Sequence, residues 1–470
     1  MTSVLWLRRD LRAADHPAGW EALRAAAGNA ATGEVVVLFV VDPALWEGAG
    51  PVRRGWLART LREVSEESFA GRLVLRHGDP GDVVPRLTRE VSADSVHISR
   101  ETTPAGRRRD GAVAEILAAQ GCSLVETGTT YAVGPGSVTT GAGTPYQVFT
   151  PFLRAWQGHG WPAPAPVLPP AEEWAAALPS DPSAAAAVDR AVREAPEGLL
   201  PKAGEGAAHA HWASFRDGAL AAYARDRDRP DRDGTSGVSP HLKLGVLHPR
   251  TLLHDLRGRT DEGARTFVRE LAWREFYADV LWHQPASAWR DLRPALRGLA
   301  YDPPGELVAA WREGRTGFPI VDAGMRQLAA TGWMHNRVRM ITASFLTKDL
   351  HTWWPVGARH FLDRLVDGDL ASNSHGWQWV AGTGTDAAPY FRVFNPVSQG
   401  LRFDPHGDYV RRWVPELAHL PGPLAHEPWR TPTGLAYGYP PRIVDHDEQR
   451  REALARYAAA RTDPTVGTAP

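Results

Sequence analysis

Short apolar runs alternate with helical patterns along the first 130 residues. The apolar runs cover 4–7, 35–41, 73–78, 95–99 and 123–126, and helix-period stretches such as 17–27 and 106–120 lie between them. Continuous apolar strands separated by helices are typical of a parallel sheet that is covered on both faces. We therefore predict a doubly wound α/β domain over residues 1–130, with any ligand outside the carboxyl ends of its strands.

The pattern changes after this domain. Residues 131–210 are rich in proline and alanine, as in PAPAPVLPPAEEW, which predicts a long connector with a little helix. Residues 211–445 have helical periodicity and many aromatics, and the stretch 265–284 is apolar on nearly every side, which predicts a deeply buried helix. Residues 446–470 predict one polar helix with a frayed end. The expected fold is α/β plus all-α, with a long linker between a sheet domain and a helical domain.

Composition narrows the class of protein. The chain has 470 residues and a formal net charge of −1, so any surface for nucleic acid has to be local. The single cysteine, Cys122, excludes an internal disulfide and fits a reducing compartment. The longest apolar run is far below the roughly 20 residues of a membrane span, and arginines interrupt the amino-terminal apolar stretch. We expect a monomeric cytoplasmic protein that does not enter a membrane.

The stretch HGWQW at 375–379 holds two tryptophans separated by one residue. On a helix, Trp377 and Trp379 point about 200° apart, so they face opposite surfaces. An ordinary pair would be one core and one surface residue. Upstream, Asp367 and Asp369 have a spacing that suits a metal, a sugar hydroxyl or an arginine.

Two further stretches carry polar groups. In TGWMHNRVRM, Arg337 and Arg339 also lie about 200° apart, so one can reach a phosphate while the other pairs with a buried carboxylate such as Asp367. The alternative is a plain amphipathic helix with solvated arginines. TSGVSPHLK at 235–243 offers hydroxyls, a glycine and a loop that turns at Pro240, which suits a diphosphate but is also typical of an ordinary turn.

These stretches, together with LWLRRDLR, ELAWREFY, GRTGFPIVDAGMRQLAA and DGDLASNSHGWQW, resemble the photolyase/cryptochrome family. The resemblance runs from residue 3 to the region of residue 430, and it is greatest to microbial class I photolyases that repair cyclobutane pyrimidine dimers. It implies an amino-terminal antenna domain and a carboxy-terminal helical domain that holds FAD. It also implies light-dependent repair of UV-damaged DNA, in which photoexcited reduced FAD passes an electron to a flipped-out dimer.

The resemblance assigns roles to individual residues. It places the following around FAD: Tyr223, Thr235, Ser236, Gly237, Val238, Ser239, Phe267, Glu270, Trp333, Arg339, Asp367, Asp369 and Asn373. It places these in the substrate cavity: Glu270, Trp273, Asn336, Arg337, Met340 and Trp379. Asn373 matches the position that faces the flavin N5 atom, and Glu270 the position that holds the pyrimidine edge, so both are expected to serve catalysis without a metal.

An electron-transfer chain to the flavin is implied by the same resemblance. Trp377 and Trp354 match its first two members, and Tyr301 stands where the family usually has a third tryptophan. The prolines at 303 and 304 predict a loop in which Tyr301 meets solvent and ends the chain as a neutral radical. The alternative is that Tyr301 only packs and another aromatic, such as Trp353 or Trp311, supplies the electron.

The resemblance also implies an antenna pigment, expected in the groove between the two predicted domains. Arg53, Glu101 and Lys243 match the positions that bind 8-hydroxy-5-deazaflavin, with a glutamate in place of an aspartate. Relatives that bind methenyltetrahydrofolate carry a glutamate where this chain has Gly106, so folate is the less favoured pigment. Three surface charges without a pigment are the alternative.

Three other function classes are alternatives to the repair of cyclobutane dimers. A cryptochrome-like blue-light photoreceptor is the main alternative, but it has no need of the cavity set Glu270, Asn336, Arg337 and Trp379. A (6-4) repair enzyme would carry a histidine pair at Asn336. A flavin oxidoreductase needs a nicotinamide or organic-substrate site, and no sequence feature indicates one.

Overall fold

The computed structural model of the chain describes residues 1–28, 33–195, 200–386 and 391–462. The expected frayed end beyond residue 462 and part of the block GTGTDAAPYFRVFNP, at 387–390, lie outside the described residues. The predicted parallel sheet is confirmed: it has five strands in the order β3-β2-β1-β4-β5. The strands are β1 Thr2–Leu7, β2 Glu34–Val41, β3 Leu73–His77, β4 Ala93–Arg100 and β5 Ser123–Thr129.

The strand order fixes where a ligand would approach the sheet. The central strand β1 pairs with β2 on one side and β4 on the other, with Val4 opposite both Val36 and Val96. The chain runs outward from β1 to β3 and then returns to β4, so the order reverses between β1 and β4. The residues after these two strands, beginning at Arg8 and Glu101, therefore lie at the switch point where doubly wound sheets bind ligands.

Helices make up most of the remaining structure, and proline stands in the first turn of many of them, where its missing N–H costs no helical hydrogen bond. The helices are α1 Pro17–Ala27, α2 Pro43–Trp46, α3 Pro51–Phe69, α4 Pro80–Glu90, α5 Pro104–Ala119, α6 Phe149–His159, α7 Pro182–Glu194, α8 Glu205–Asp217, α9 Tyr223–Asp226, α10 Ser239–Leu244, α11 Pro249–Asp255, α12 Glu262–His283, α13 Glu306–Glu313, α14 Pro319–Thr331, α15 Asn336–Ser344, α16 Trp354–Arg364, α17 Leu370–Ala381, α18 Pro396–Phe403, α19 Asp408–Trp413 and α20 His446–Thr462. A π-helical turn, Phe345–Asp349, follows α15.

The chain divides into two compact units. The first holds 1–221 and 236–285, and the second holds 222–235 and 286–470. Residues 131–210, expected to be a connector, contain α6, α7 and the first residues of α8. The helix predicted over 265–284 is confirmed as α12, which belongs to the first unit.

A buried ionic network joins distant parts of the first unit. Asp15 accepts a hydrogen bond from Arg250 at 2.6 Å and lies 3.0 Å from His248. Burial alone would raise the pKa of Asp15, but His248 and Arg250 lower it to about 2. The carboxylate of Glu205 accepts the backbone N–H of Ala13 at 2.7 Å. The segment after β1 is thus held by residues that come much later in the chain.

The second unit is helical and packs around a cluster of buried aromatics. Trp311, Trp354 and Trp377 all belong to this cluster, with Phe361 and Tyr409. The predicted terminal helix is confirmed as α20. Within the described ranges, no helix combines the length and the apolar character that crossing a membrane requires.

Candidate functional site

A recess in the second unit gathers many of the predicted site residues. It encloses about 560 Å³ of space between protein atoms, a figure that includes its open mouth. Its lining consists of Asn336, Arg339, Met340, Ala343, Phe361, Leu365, Asp367, Gly368, Asp369, Ser372, Asn373, Gly376, Trp377 and Val380. The recess is therefore lined by residues expected to bind the cofactor or the substrate, together with Trp377, the expected first electron donor.

An ion pair stands on one side of the recess. The Nη2 atom of Arg339 donates to Oδ2 of the buried Asp367 at 2.8 Å, and its Nε atom donates to the carbonyl of Met334 at 2.7 Å. The expected pairing of Arg339 with Asp367 is confirmed. Arg337 points elsewhere and pairs with Asp228 at 2.9 Å, as the angle between the two arginines predicts.

Helix α17 presents small and polar groups to the recess. Asp369 caps the helix, because its Oδ1 atom accepts the backbone N–H of Ser372 at 3.0 Å. Asn373 donates from Nδ2 to the carbonyl of Ala358 at 3.0 Å, which leaves its amide oxygen as the acceptor on this side chain. A Cβ added at Gly376 would meet no protein atom within 4 Å. The wall is therefore bare at residue 376, and a flat group can approach the helix closely there.

The two tryptophans of HGWQW have different surroundings, as their spacing predicts. Trp377 is 3% exposed and lines the recess. Its ring meets Phe361 edge-on at 5.0 Å and Trp311 at 6.2 Å between centroids. Trp379 is half-buried and is not among the described residues that line the recess.

A single carboxylate contacts Trp354, the second member of the expected electron chain, and Trp353, one of the alternative donors. Trp354 is fully buried, and its Nε1 atom donates to Oδ1 of Asp291 at 2.8 Å. The Nε1 atom of the neighbouring Trp353, which is 38% exposed, lies 3.4 Å from Oδ2 of the same carboxylate. Asp291 itself is buried.

Tyr301 departs from expectation in one respect. Its predicted loop is confirmed, since residues 301–305 form no helix or strand. The residue is half-buried, so part of it meets solvent, but its hydroxyl is buried and has no hydrogen-bond partner among the described residues. Burial and the charge of Asp291 raise the pKa of Tyr301 well above its usual range.

Three predicted residues lie on α12 in the first unit. Phe267 is buried and packs 5.2 Å from Trp212. Glu270 and Trp273 are half-buried and lie one helical turn apart, as the sequence spacing predicts. Trp273 stacks flat on Phe149, with centroids 3.6 Å apart and planes inclined by 9°. One face of the indole is therefore covered by a protein ring.

The stretch expected to hold a diphosphate is shorter than predicted. Pro240 lies in the first turn of α10 instead of in a loop, because its fixed φ suits a helix start. Gly237 has a φ of +61°, and a Cβ there would lie 2.9 Å from Nε2 of His211. That nitrogen lies 2.7 Å from the carbonyl oxygen of Ser236.

The remaining residues expected around the cofactor differ in burial. Two are buried, two are half-buried and one is exposed: Tyr223 at the start of α9 and Val238 are buried, Thr235 and Trp333 are half-buried, and Ser239 is exposed.

Glu101, one of the three expected antenna residues, is half-buried directly after β4. Its Oε1 atom accepts the backbone N–H groups of Thr102 at 2.7 Å and Thr103 at 2.9 Å, and it lies 3.7 Å from Arg9. Burial would raise the pKa of Glu101, but Arg9 and the Thr103 amide lower it overall. The Cγ atom of Glu101 lies 2.1 Å from the place a Cβ of residue 106 would take. An acidic side chain thus occupies the space beside Gly106. The other two antenna residues, Arg53 on α3 and Lys243 on α10, are half-buried.

Histidines beside the recess are uncharged at neutral pH. Burial lowers the pKa of His335 and of His375 to about 4. His375 is held between the carbonyl of Ala371 at 2.8 Å and the hydroxyl of Ser287 at 3.0 Å. Across the described ranges, no group of three or more His, Cys, Asp or Glu side chains is arranged to hold a metal.

Several site residues were missed from the sequence. Asp228 pairs with Arg337 across 109 positions, and Asp291 binds Trp354 across 63 positions. No spacing pattern around either aspartate indicates these contacts. Gly376 could have been found, because a glycine inside a predicted helix indicates a close approach or a packing requirement.

Family models match both parts of the chain. The model described as DNA photolyase matches residues 3–171, and the model described as the FAD binding domain of DNA photolyase matches residues 267–459. A deoxyribodipyrimidine photo-lyase of Streptomyces griseus is 42% identical, over 98% of this chain and 99% of the relative. One from Halobacterium salinarum is 37% identical over the same shares.

Solved structures agree with these matches. A bacterial class III photolyase from Agrobacterium tumefaciens superposes with a TM-score of 0.89 at 36% identity, covering 98% of each chain. An archaeal photolyase from Sulfolobus tokodaii with two FAD molecules has a TM-score of 0.83 at 27% identity, covering 98% of this chain and 100% of that one. A Synechocystis cryptochrome has the same TM-score at 26% identity, covering 97% and 98%. With this fold, this recess and these relatives, the chain belongs to the DNA photolyase family and carries the FAD-binding domain of that family.

Proposed function

We propose that this protein repairs cyclobutane pyrimidine dimers in UV-damaged DNA, using light and reduced FAD. The observation that carries the proposal is the recess of the second unit. There, the Arg339–Asp367 pair, the free amide oxygen of Asn373 and the bare helix surface at Gly376 lie beside Trp377. The family match and the names of the relatives support the same conclusion. Assignment to class I, a monomeric state and a cytoplasmic location stay predictions, as do domain boundaries at residues 130, 210 and 445.

The donors and acceptors of the recess fit an isoalloxazine ring. The Arg339 guanidinium can donate to ring carbonyl oxygens, while Asp367 keeps it in place. The Asn373 oxygen can accept a hydrogen bond from the N–H that reduced flavin carries at N5. Gly376 lets the ring lie directly against α17. When bound, FAD supplies light absorption and the transferred electron, so the protein has to bind, orient and exclude water.

The substrate side of the proposal uses the residues that the family resemblance assigns to it. A damaged base pair costs least to unstack, which favours a dimer that leaves the helix to reach the cofactor. Asn336 and Met340 line the recess, and the Glu270 carboxylate can accept from the N–H edge of a pyrimidine. The indoles of Trp273 and Trp379 offer flat faces, each worth about 1–3 kcal/mol of stacking per base.

An antenna pigment in the first unit is part of the proposal. We assign Arg53, Glu101 and Lys243 to 8-hydroxy-5-deazaflavin, and the switch point after β1 and β4 supports a ligand there. The position of Glu101 beside Gly106 keeps methenyltetrahydrofolate as the second candidate. Reconstitution decides between them: uptake of deazaflavin adds a near-visible absorption band and sensitises FAD, whereas tight folate binding without deazaflavin uptake reverses the assignment.

Repair of an oligonucleotide with one thymine dimer, in light and in darkness, tests the main proposal. The parent protein should restore the two thymines only in light. Glu270→Gln should lose most repair while keeping FAD, whereas Glu262→Gln on the same helix should behave like the parent. Trp379→Ala should also lose most repair while keeping FAD, and its control, Trp429→Ala, should behave like the parent. A parent protein that binds FAD and responds to light but restores no thymines would favour the photoreceptor alternative.

A further inference from the structure

One buried carboxylate binds two indoles outside the recess. The Asp291 oxygens face Nε1 of Trp354 at 2.8 Å and Nε1 of Trp353 at 3.4 Å. Trp354 opens α16, and three residues later Gly357 packs on Trp377, since a Cβ there would lie 2.2 Å from the indole edge. The Asp291 carboxylate therefore connects Trp354, which lies one helical turn from the Gly357–Trp377 contact, to Trp353 at the surface.

The charge of Asp291 favours electron loss from both indoles. When an indole gives up an electron, positive charge spreads over the ring and its N–H. A carboxylate in contact with that N–H stabilises the positive charge, and the effect is strong because Asp291 and Trp354 are buried from screening solvent. Trp311 also packs near Trp377, but its Nε1 atom donates to the neutral carbonyl of Thr342 at 3.1 Å.

Tyr301 has the opposite environment. Oxidised tyrosine has to lose its proton, yet the buried hydroxyl has no acceptor among the described residues. The nearby charge of Asp291 raises the pKa of this group further. Trp353 is 38% exposed, and its N–H faces the Asp291 carboxylate, an acceptor through which its proton can leave.

We propose that Asp291 is a positioning residue that couples Trp354 to Trp353 and makes Trp353, not Tyr301, the terminal electron donor when oxidised flavin is photoreduced. This rests on the proposed function, in which the protein holds FAD, and on the electron chain expected from the sequence, in which Trp377 would give the first electron to bound, photoexcited FAD in its oxidised form. Trp354 then gives one electron to Trp377, and Trp353 gives one to Trp354. The N–H bond of Trp353 breaks, its electron pair stays on nitrogen and the proton passes to water. An external thiol returns a hydrogen atom to the neutral Trp353 radical.

Transient absorption of the FAD-loaded protein tests the order of donors. Trp353→Phe should shorten the lifetime of the tryptophanyl radical at least tenfold and lower the yield of photoreduction, while Tyr301→Phe should keep both within twofold. The reverse result overturns the inference. Trp377→Phe tests the start of the expected chain: unchanged photoreduction in this variant refutes the whole chain, whereas its loss together with an unaffected Trp353→Phe defeats only the present inference. Failure of the proposed function is seen separately, as a parent protein that restores no thymines in light.

The coupling through Asp291 has a readout without flavin. In the FAD-free protein, Asp291→Asn should shift the indole ¹H–¹⁵N signals of both Trp353 and Trp354, because both N–H groups lose the same carboxylate. In the FAD-loaded variant, the lifetime of the tryptophanyl radical should fall. A shift of only one of the two indole signals, or an unchanged radical lifetime in Asp291→Asn with native thermal unfolding, would refute the shared carboxylate.

Discussion

Replacing Gly376 by alanine should strengthen the fold and weaken the cofactor site at once. Gly376 lies in the interior of α17, and a Cβ there meets no protein atom within 4 Å. Glycine inside a helix costs roughly 0.5–1 kcal/mol relative to alanine, because it loses more backbone freedom on folding. The FAD-free variant should therefore be more stable by about that amount.

The same methyl group should oppose flavin binding. It would project into the recess, where a flat ring is proposed to lie against the helix. Adding a methyl group to a packed contact costs about 1–3 kcal/mol, since neither side can yield fully. FAD affinity should fall by about tenfold, which corresponds to about 1.4 kcal/mol.

Two measurements on the same preparation test the predicted changes in stability and in FAD affinity. Thermal unfolding of the stripped protein reports stability, and fluorescence titration with FAD reports affinity. Gly111→Ala is the matched control, since Gly111 lies inside α5, is exposed and also has no atom within 4 Å of its Cβ position. The control should gain stability without a change in FAD affinity. If Gly376→Ala bound FAD with parental affinity, the proposed position of the flavin ring against α17 would be refuted. If the FAD-free variant were less stable than the parent, the space beside residue 376 would not be open.

Three further predictions concern charge. Asp367→Asn should lower the unfolding free energy by about 1–3 kcal/mol, because the guanidinium of Arg339 loses its buried partner; an unchanged denaturant midpoint would contradict this. Folding holds the pKa of His375 near 4, below the roughly 6.5 of the unfolded chain, so stability is full above pH 6.5 and falls toward pH 4, by about 2 kcal/mol at pH 5. His375→Gln should flatten this part of the pH–stability curve, and an equal slope would disprove the assignment. Arg337→Ala should lower the salt dependence of damaged-DNA binding by about one phosphate contact, whereas Asp228→Asn, which frees Arg337, should tighten binding; identical salt slopes in all three proteins would remove Arg337 from the DNA contact.

The sequence predicted what depends on local periodicity. The five strands and α12 follow apolar patterns that are set within each segment. The opposite orientations of Trp377 and Trp379 follow from helix geometry alone. Contacts between distant segments were not accessible in this way. Asp291 reaches Trp354 across 63 positions, and no spacing rule connects them.

Tyr301 shows a second kind of error. The prolines at 303 and 304 correctly predicted a loop, but a loop backbone does not decide whether one atom of a side chain meets water. The hydroxyl is buried because of how the surrounding chain packs. Residue-by-residue similarity to a family was likewise unable to show that Glu101 fills the space beside Gly106, since this depends on side-chain direction.

The long-range bonds of the first unit limit how this protein can be divided or recombined. The sheet ends at residue 129, but Asp15 is neutralised by Arg250, the amide of Ala13 is bound by Glu205, and the amide of Val133 is bound by Glu275 on α12 at 2.8 Å. During synthesis, Asp15 has no Arg250 until residue 250 has been made, and the amide of Val133 has no Glu275 until α12 has been made. A chimera that exchanges only the first 130 residues takes the two sides of these bonds from different proteins. An exchange that keeps the bonds within one protein has to carry residues 131–221 and 236–285 with the sheet.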